Sequence, residues 1–292
     1  MFNICCIGHI TLDKVVTPHS TVHMSGGTSY YFSKALQLMD VSYKLLTSLG
    51  KTEMAVVDEL RAGGTDVTAF TSAHSVYFEN SYMGANQDHR TQRVLQKADA
   101  FTIEQLQDVG ADIFHLGPLL ADDISLEVMK YLAGKGQISL DAQGYLREVR
   151  NYEVHAVDWP QKQEALQYVN ILKANEYELE VITGETDIKA GALILADWGV
   201  KEVVITLGSM GSVIYADGVF YNIPAYTPHS VIDATGCGDT YMAGYLYKRV
   251  KGAGLQQAGE FAAAMASIKI AHSGAFTGTE ADVLDFLFSK NS

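Results

Sequence analysis

The chain has few of the features that mark a secreted or membrane-spanning protein. It contains only 3 cysteines in 292 residues, and two of them, Cys5 and Cys6, are adjacent in an apolar run, where no disulfide framework can be built. It has no stretch of about 18 uninterrupted apolar residues, and no charged and then apolar leader opens it. We therefore expect a protein of the reducing cytoplasm with no membrane partner.

Positive charge is also scarce. The 21 Lys and Arg residues against 34 Asp and Glu residues give a formal net charge of -13, which repels nucleic-acid backbones and anionic membranes. We therefore expect no nucleic-acid partner. A small phosphorylated ligand remains compatible with this charge, because backbone amides at a helix start can hold a phosphate locally.

Short β-type runs alternate with helical patterns over much of the chain. This alternation, with 48% hydrophobic residues, predicts an α/β fold whose mostly parallel central sheet carries helices on both faces. The predicted strands begin near residues 3, 43, 112, 137, 169, 202 and 211. The predicted helices have the sequences TSYYFSKALQLM, EMAVVDELRAG, ISLEVMKYLAG, IKAGALILADWG, DTYMAGYLYKRV and AGEFAAAMASIKIA.

One region departs from the alternation. Residues 75–82 and 90–95 read as two strands around the polar turn MGANQDH, which predicts an antiparallel hairpin. No Pro- or Ser-rich linker and no tandem repeat separates this hairpin from the rest. We therefore predict a single domain over residues 1–292 with the hairpin as an appendage, a type of element that often covers a site.

The segment SVIDATGCGDTYMAGYLYKRV carries the strongest chemical signal. An extended run enters a turn at Gly236, Cys237 and Gly238 and leaves as a helix, so backbone amides and the positive helix end favour an anion there. Asp239 falls in the first helical turn, where a carboxylate can take the proton of an attacking hydroxyl. The alternative is that Asp239 merely caps the helix.

DATGCGDT resembles the C-terminal signature of the ribokinase-like (PfkB) kinase family. The resemblance implies a ribokinase-like fold, an ATP-dependent enzyme that phosphorylates a hydroxyl, Asp239 as the catalytic base and an anion hole at 236–238. It also implies a monovalent-cation site, for K⁺, beside Asp233 and Thr235. Cys237 stands where alanine is commoner, and we expect it to pack and not to act as a nucleophile.

ILKANEYELEVITGE resembles the N-x-x-E element of the same family, with Asn175 and Glu178. Near a helix start, a three-residue spacing puts both side chains on one face. An amide and a carboxylate suit hydrated Mg²⁺, which keeps several of its waters. The alternative is a solvated acidic helix, because glutamates crowd this stretch.

VVITLGSMGSVIYADG resembles the nucleotide-binding T-x-G-x-x-G turn of the family, with Thr206, Gly208 and Gly211. The resemblance places this turn under the phosphates and ribose of ATP. The alternative is an ordinary β-hairpin with glycines in its turn. The three motifs follow one another about 30 residues apart, in the sequential order of the family.

The N-terminal half resembles the substrate side of these kinases. ICCIGHITLD implies a substrate-binding Asp13, and MSGGTSYYFSKALQLM implies close backbone approach at Gly26 and Gly27. Tyr31 occupies the position where sugar kinases usually carry an asparagine, so it becomes the candidate substrate contact. Aromatic residues at 30–32 are equally compatible with core packing.

Two further segments complete the resemblance. The hairpin looks like the family's β lid, contributed by about 10–24 and 66–98, with Arg93 as a candidate for contacting substrate; a solvated arginine is the alternative. SLDAQGYLREV places Asp141, Gln143 and Arg147 at the cleft, after a strand end. The combination of GGTSYYFSKAL, LDAQGYLR and ASIKIAHSGA resembles the inositol-kinase-like branch more than ribokinase itself. The lid also suggests a homodimer.

We therefore predict an ATP- and Mg²⁺-dependent kinase acting on a sugar or polyol, with an inositol-like compound included. The alternatives are a nucleoside kinase on the same scaffold, since Tyr30 or Tyr31 could stack on a base, and a catalytically silent sugar-binding protein, against which the presence of Asp239 argues. A nicotinamide-dependent dehydrogenase is disfavoured because the first strand leads into GHITLD, without the G-x-G-x-x-G turn.

Overall fold

The computed structural model describes residues 1–16, 18, 20–81 and 91–291. The predicted hairpin turn MGANQDH, residues 83–89, lies outside this part. The described strands are β1 (Phe2–Ile7), β2 (Thr11–Val16), β3 (Thr21–Gly26), β4 (Tyr43–Leu49), β5 (Asp66–Thr71), β6 (Val76–Ser81), β7 (Thr91–Gln96), β8 (Ala111–Leu116), β9 (Gln137–Asp141), β10 (Arg147–Arg150), β11 (Glu153–Ala156), β12 (Ile171–Asn175), β13 (Glu202–Thr206), β14 (Ser212–Ala216) and β15 (Val219–Ile223).

Helices connect most of these strands. The α-helices are α1 (Thr28–Leu36), α2 (Ala55–Ala62), α3 (Ile103–Leu106), α4 (Leu126–Ala133), α5 (Lys162–Leu166), α6 (Glu176–Thr183), α7 (Ile188–Asp197), α8 (Cys237–Val250), α9 (Leu255–Ile270) and α10 (Glu280–Asn291). Short 3-10 turns span Lys51–Glu53, Ala142–Leu146 and Gly208–Met210. No helix of the described ranges is long and apolar enough to cross a membrane.

The central sheet has the order β15-β14-β13-β12-β9-β8-β1-β4-β5. The strands from β5 to β13 in this order pair in parallel, and β14 and β15 add an antiparallel edge. The sheet is buried on both faces. Phe32 of α1, Tyr245 of α8 and Phe261 of α9 belong to the core cluster of one face, and Met129 of α4 and Leu179 of α6 to that of the other. The predicted fold class is confirmed.

A second sheet lies beside the first, with the order β10-β11-β7-β6-β2-β3. Strands β6 and β7 pair antiparallel, as the hairpin prediction required, and β2 and β3 come from the expected segment near 10–24. Two details differ. Residues 66–71 form β5, which pairs with β4 at the edge of the central sheet, because a half-exposed edge strand shows the same alternation as a strand of a small separate sheet. Strands β10 and β11 were not predicted.

The parallel strands bring several polar residues to one edge of the central sheet. Asp141 is the last residue of β9, Asn175 is the last residue of β12 and also the N-cap of α6, and Thr206 ends β13. Carboxyl ends of parallel strands are where α/β proteins bind ligands. A ligand site is therefore expected at this edge.

Candidate active site

Two cavities meet at the carboxyl edge of the central sheet. The first has a volume of about 430 Å³ and the second about 310 Å³. Both are lined by Thr206, Gly208, Ala234 and Gly238, so the residues before β14 and the start of α8 form the boundary between them. The first cavity is also lined by side chains of the second sheet, and the second by apolar residues of α8 and α9.

The turn at the start of α8 requires glycine at position 236. Gly236 is the N-cap with φ 75°, a left-handed conformation that favours glycine, and a β-carbon there would overlap the ring of Tyr31. The sequence predicted an anion hole formed by the backbone amides of residues 236–238. The amide of Cys237 instead donates to the carbonyl of Ala234 at 3.2 Å, so these amides are not all directed at the cavity. Helix geometry leaves the amides of the first turn, including Gly238 and Asp239, without intrahelical partners.

Cys237 packs as the sequence predicted. Its Sγ lies 3.9 Å from the carbonyl oxygens of Asp233 and Ala266. Burial, the largest influence, raises the pKa of the Cys237 thiol to about 11. The thiol is therefore neutral at physiological pH, and the reactive thiolate is not formed there.

Asp239 lies in the first turn of α8 and lines the first cavity. Removal from water and the neighbouring charge of Asp141 raise the pKa of Asp239 to about 6, against the lowering effect of Lys173 and of a hydrogen bond with Thr28. A carboxylate with this pKa is ionised at neutral pH and binds a proton more strongly than an ordinary aspartate. Both properties suit a general base.

Lys173 is a site residue that the sequence reasoning missed. It lies in β12 with its side chain buried, and its Nζ is 3.0 Å from Oδ2 of Asp141 and 3.9 Å from Oε2 of Glu178. Burial alone would lower the pKa of Lys173, but the carboxylates of Asp141, Glu178 and Asp239 hold it above its usual value. A β-carbon at Gly238 would lie 3.4 Å from Nζ. This ammonium group therefore lies directly beside the start of α8.

Asn175 and Glu178 form a reciprocal cap at the start of α6. The Glu178 amide donates to Oδ1 of Asn175, and the Asn175 amide donates to Oε2 of Glu178, both at 2.8 Å. Glu178 is only 8% exposed, so the alternative of a solvated acidic face does not apply to it. Asn175 lines the first cavity, together with Gln143, whose Nε2 donates to Oε1 of Glu178 at 3.4 Å.

The turn between β13 and β14 combines both readings made from the sequence. The two strands form an antiparallel hairpin, and its residues Thr206, Gly208 and Gly211 line the second cavity. Gly211 has φ 95°, and a β-carbon there would overlap the carbonyl oxygen of Ile223. The hairpin thus places a close backbone turn against the cavity.

Asp13 and the neighbouring glycines Gly26 and Gly27 belong to the part of the site formed by the second sheet. Asp13 of β2 is buried, and its Oδ1 accepts a hydrogen bond of 2.7 Å from Thr11 Oγ1. A β-carbon at Gly26 would overlap the carboxylate of Asp13, and Gly27 has φ 85° with its β-carbon position 2.8 Å from the carbonyl oxygen of His9. Asp13 and Gly27 line the first cavity, and Gly26 allows β3 to pass close to Asp13.

The aromatic residues at 30–32 divide between the two interpretations. Tyr31 lines the first cavity while only 2% exposed, and within the described residues its buried hydroxyl has no hydrogen-bond partner. Phe32 belongs to the core and stacks on His115 at 4.4 Å between ring centroids. Of this trio, Tyr31 borders the cavity and Phe32 is a packing residue.

Arg93 does not line either cavity. Its Nη1 lies 3.3 Å from Oε1 of Glu79, and its guanidinium lies over the ring of Tyr152 at 5.8 Å. Strand alternation explains this, because Gln92 points to the opposite side of β7 from Arg93. Gln92 lines the first cavity and donates to Oδ1 of Asn80 at 3.0 Å.

The expected monovalent-cation position is held by protein groups. Oδ1 of Asp233 accepts from the Thr235 amide at 2.9 Å. The Nζ of Lys269, a residue that the sequence reasoning did not single out, donates to the carbonyl oxygen of Asp233 at 2.7 Å.

The pfkB family carbohydrate kinase model matches residues 3–282 of the chain. This match spans nearly the whole sequence and includes the motif that carries Asp239, which lines the first cavity. The chain belongs to the PfkB family. It is therefore a ribokinase-family kinase, an enzyme that transfers a phosphoryl group to a hydroxyl acceptor.

Characterised relatives resemble the chain over most of their length. The cytidine kinase of Thermococcus kodakarensis is 28% identical over 269 residues, which cover 88% of this chain and 92% of the relative. The nucleoside kinase of Methanocaldococcus jannaschii is 25% identical over 296 residues, covering 95% of this chain and 93% of the relative.

Solved structures of ribokinase-family proteins share the fold of this chain. A pyrophosphate-dependent kinase of the ribokinase family, complexed with a pyrophosphate analog and myo-inositol, has a TM-score of 0.85 and 28% identity, covering 97% of this chain and 99% of its own. Arabidopsis thaliana ribokinase with ribose and ATP has a TM-score of 0.83 and 21% identity, covering 98% of both chains. The latter likeness concerns the fold alone.

Proposed function

We propose that this protein transfers the γ-phosphoryl group of ATP to a hydroxyl of a sugar or polyol, with Asp239 as the base. The observation that carries the proposal is the position of Asp239: it borders the first cavity, and the two neighbouring cavities adjoin through Gly238 in the same helical turn. The acceptor binds in the first cavity and the donor nucleotide in the second. The transferred group then lies at the shared wall.

The backbone amides at the start of α8 and the adjacent Lys173 of β12 support phosphoryl transfer. Phosphoryl transfer depends mainly on positioning and on stabilising the charge of the transferred group. The first-turn amides of α8 and the ammonium of Lys173 offer that stabilisation from the protein side. Asp239 accepts the proton of the attacking hydroxyl. Its raised pKa, about 6, makes the proton transfer more favourable than it would be to an ordinary aspartate.

The second cavity favours a nucleotide donor over pyrophosphate. Its wall beyond the shared residues is largely apolar and includes Tyr226, Val231, Tyr241 and Ile270. An adenine ring would bury its apolar faces against such a wall, whereas pyrophosphate is small, fully charged and has no use for it. Pyrophosphate is the alternative donor because a similar solved structure is that of a pyrophosphate-dependent kinase.

Mg²⁺ fits the polar edge of the site through water. No group of three or more His, Cys, Asp or Glu side chains that could hold a metal occurs in the described part of the chain. Mg²⁺ needs no such group, since it keeps several waters and binds substrate phosphates. Asn175 and Glu178 would hold its waters, and the ion would neutralise donor phosphate charge.

The first cavity fits a small polyhydroxylated acceptor. Asp13, Asn80, Gln92 and Gln143 line it, and such groups donate to or accept from several hydroxyls at once. The similar structure that holds myo-inositol agrees with this type of acceptor. Strands of the second sheet supply Asp13, Asn80 and Gln92, so we assign this sheet the role of the lid.

A nucleoside is the second candidate acceptor. The cytidine kinase and nucleoside kinase relatives favour it. So does the apolar part of the first cavity, where Val15, Met24 and Phe78 could receive a base. An inositol or a free pentose would leave these apolar side chains less well covered.

A crossed donor and acceptor screen tests the proposal. Purified protein with Mg²⁺ is assayed for phosphorylated product with ATP or pyrophosphate against pentoses, hexoses, inositols and nucleosides. We expect product with ATP and at least one sugar or polyol. Turnover with pyrophosphate but not ATP would overturn the donor assignment, and turnover with nucleosides only would select the second candidate.

The lid sheet also carries the proposed dimer contact. Its outer strand β3 begins with exposed residues, among them Val22 at 50% exposure, and an edge strand of this kind presents unpaired backbone groups. We expect a homodimer, to be measured by analytical ultracentrifugation. A monomer at micromolar concentration would exclude it.

A further inference from the structure

A second buried lysine, Lys269, contacts the segment that leads into the α8 turn. Lys269 comes from the last turn of α9, and its side chain is 0% exposed. Its Nζ donates to the carbonyl oxygen of Asp233 at 2.7 Å and lies 3.1 Å from Oδ2 of the same residue. The ring of Tyr31 lies 5.9 Å from Nζ, at the limit of a cation–π contact.

The ammonium group is surrounded as a bound cation would be. A buried positive charge is stable only when oxygen or π-electron partners replace its water, and Asp233 supplies a carbonyl and a carboxylate oxygen. The Asp233 carboxylate also accepts two backbone hydrogen bonds: Oδ1 accepts from the Thr235 amide of the same loop at 2.9 Å, and Oδ2 accepts from the Gly274 amide, in the segment after α9, at 3.2 Å. The charge of Lys269 therefore lies at the centre of the segment that leads into the α8 turn.

We propose that the ammonium of Lys269 takes the place of the monovalent cation that the family resemblance placed beside Asp233 and Thr235. A K⁺ ion bound to the same oxygens of Asp233 would lie against a like charge in a buried space, which is unfavourable. The residues present therefore do not fit K⁺. The chain carries its cation covalently, on a side chain.

The consequence concerns the loop that forms the boundary of the two cavities. Ala234 and Gly238 line both cavities, and Asp233, held by Lys269, immediately precedes Ala234. A tethered charge keeps the loop in place at any salt composition. Kinase activity, which here rests on the proposed function, is then independent of the identity of the monovalent cation.

The first test compares cations with the unmodified protein. Activity and melting temperature are measured in KCl, NaCl and tetramethylammonium chloride at equal ionic strength. We expect kcat and KM to agree within about twofold and the melting temperature to be the same, because a cation that does not bind the folded state cannot shift its stability. A stimulation of about fivefold or more by K⁺ over tetramethylammonium would overturn the proposal.

The second test removes the tethered charge. Lys269→Ala opens the space and leaves the Asp233 oxygens, so K⁺, NH₄⁺ or methylammonium should bind there and raise the melting temperature in proportion to the logarithm of concentration. Activity should fall by at least about tenfold without these ions, since loss of positioning in the loop is costly, and recover in part with them. Lys269→Met fills the space with an apolar chain and should show no rescue.

Controls separate this inference from the proposed function. Lys201→Ala removes an exposed lysine of the same charge and should behave as the unmodified protein in every salt. The melting-temperature readout requires no substrate, so it decides the inference even if no kinase acceptor is found. A folded Lys269→Ala protein whose melting temperature and activity ignore K⁺, NH₄⁺ and methylammonium would refute the tethered-cation role.

Discussion

The charge balance around Asp239 determines the chemistry of the site at the scale of single residues. Burial and Asp141 raise the pKa of Asp239, and Lys173 lowers it. The two neighbours also bind each other at 3.0 Å. The N-cap of α8 is Gly236, with no side-chain capping hydrogen bond, and the Asp239 carboxylate is hydrogen-bonded to Thr28. The capping alternative therefore has no observed cap behind it, and the role of Asp239 as the base stays a prediction.

Asp239→Asn should remove most turnover and leave the fold intact. The amide has the size of the carboxylate but is a far weaker proton acceptor, and loss of a general base costs roughly 100- to 10,000-fold in kcat. Residual activity remains because the α8 amides and Lys173 are unchanged. Steady-state kinetics measure the effect, and Asp197→Asn, at an exposed position on α7, is the control. A kcat within about fivefold of the unmodified enzyme would refute the assignment.

The pH dependence of kcat/KM should show an acidic limb near pH 6. Asp239 must be ionised to accept a proton, and its pKa in the free protein is about 6, so activity falls as pH decreases through that value. Asp141→Asn removes the negative neighbour and should move the limb to lower pH. A limb that stays in place in Asp141→Asn would assign the titration to another group.

Asp239→Asn should also stabilise the protein at neutral pH. The folded pKa of about 6 lies above the ordinary aspartate value of 3.8, so the ionised carboxylate costs folding free energy at pH 7, at most ~3 kcal/mol for a pKa raised by about two. The cost is absent below pH 3.8, where the group is protonated in both states, and grows as pH rises to about 6. Urea unfolding of both proteins at several pH values measures it. An equal difference at low and neutral pH would contradict this origin.

Among the residues that escaped the sequence analysis are two buried lysines. Lys173 interrupts the apolar strand ILKAN, and Lys269 interrupts the apolar helix segment AAAMASIKIA. Lysine is rarely buried unless paired, so a lysine inside such a run signals a carboxylate partner. The partner itself could not be predicted, because Asp141 and Asp233 are distant in sequence and meet these lysines only in the fold.

At the scale of elements, the start of α6 links stability to the metal proposal. Glu178 both caps the helix and lies 3.9 Å from Nζ of Lys173. Glutamine can replace glutamate in a capping box. Glu178→Gln therefore keeps the capping role of the side chain and weakens its proposed role in binding hydrated Mg²⁺.

Glu178→Gln should raise the Mg²⁺ concentration needed for half-maximal activity and lower kcat, while acceptor KM and melting temperature change little. The amide keeps the cap but attracts hydrated Mg²⁺ less strongly. Glu180→Gln, on the exposed side of the same helix, is the matched control. Unchanged Mg²⁺ dependence in Glu178→Gln would restrict Glu178 to a structural role.

The lid sheet offers an equally matched pair on one strand. Gln92 lines the first cavity and Arg93 does not. Gln92→Ala should raise the acceptor KM severalfold with little change in the ATP KM, as expected for loss of about one hydrogen bond of ~1 kcal/mol. Arg93→Ala should leave both constants nearly unchanged. The reverse outcome would restore Arg93 as the substrate contact and remove Gln92 from the site.

At the scale of the whole molecule, the sequence predicts the central sheet better than the lid. Of the nine strand segments recognised from the sequence, seven fall in the central sheet and the two hairpin strands are β6 and β7 of the lid sheet. Strands buried on both faces are the easier ones to recognise because they read as continuous apolar runs. The edge strand β5 and the short strands β10 and β11 were misassigned or missed, since exposed strands have weak patterns. Gly211, Gly236 and Asp239 were recognisable because each meets a local backbone or chemical need.

The shared wall of the two cavities has a stereochemical consequence. The cavities proposed for donor and acceptor adjoin through Thr206, Gly208, Ala234 and Gly238, so under this proposal a hydroxyl in one attacks phosphorus from the side opposite the departing nucleotide. A single in-line displacement of this type inverts the configuration at phosphorus, with no phosphorylated side chain along the way. Transfer from ATP made chiral at the γ-phosphorus should therefore give product of inverted handedness, whereas retention would reveal two successive displacements and a covalent phosphoenzyme.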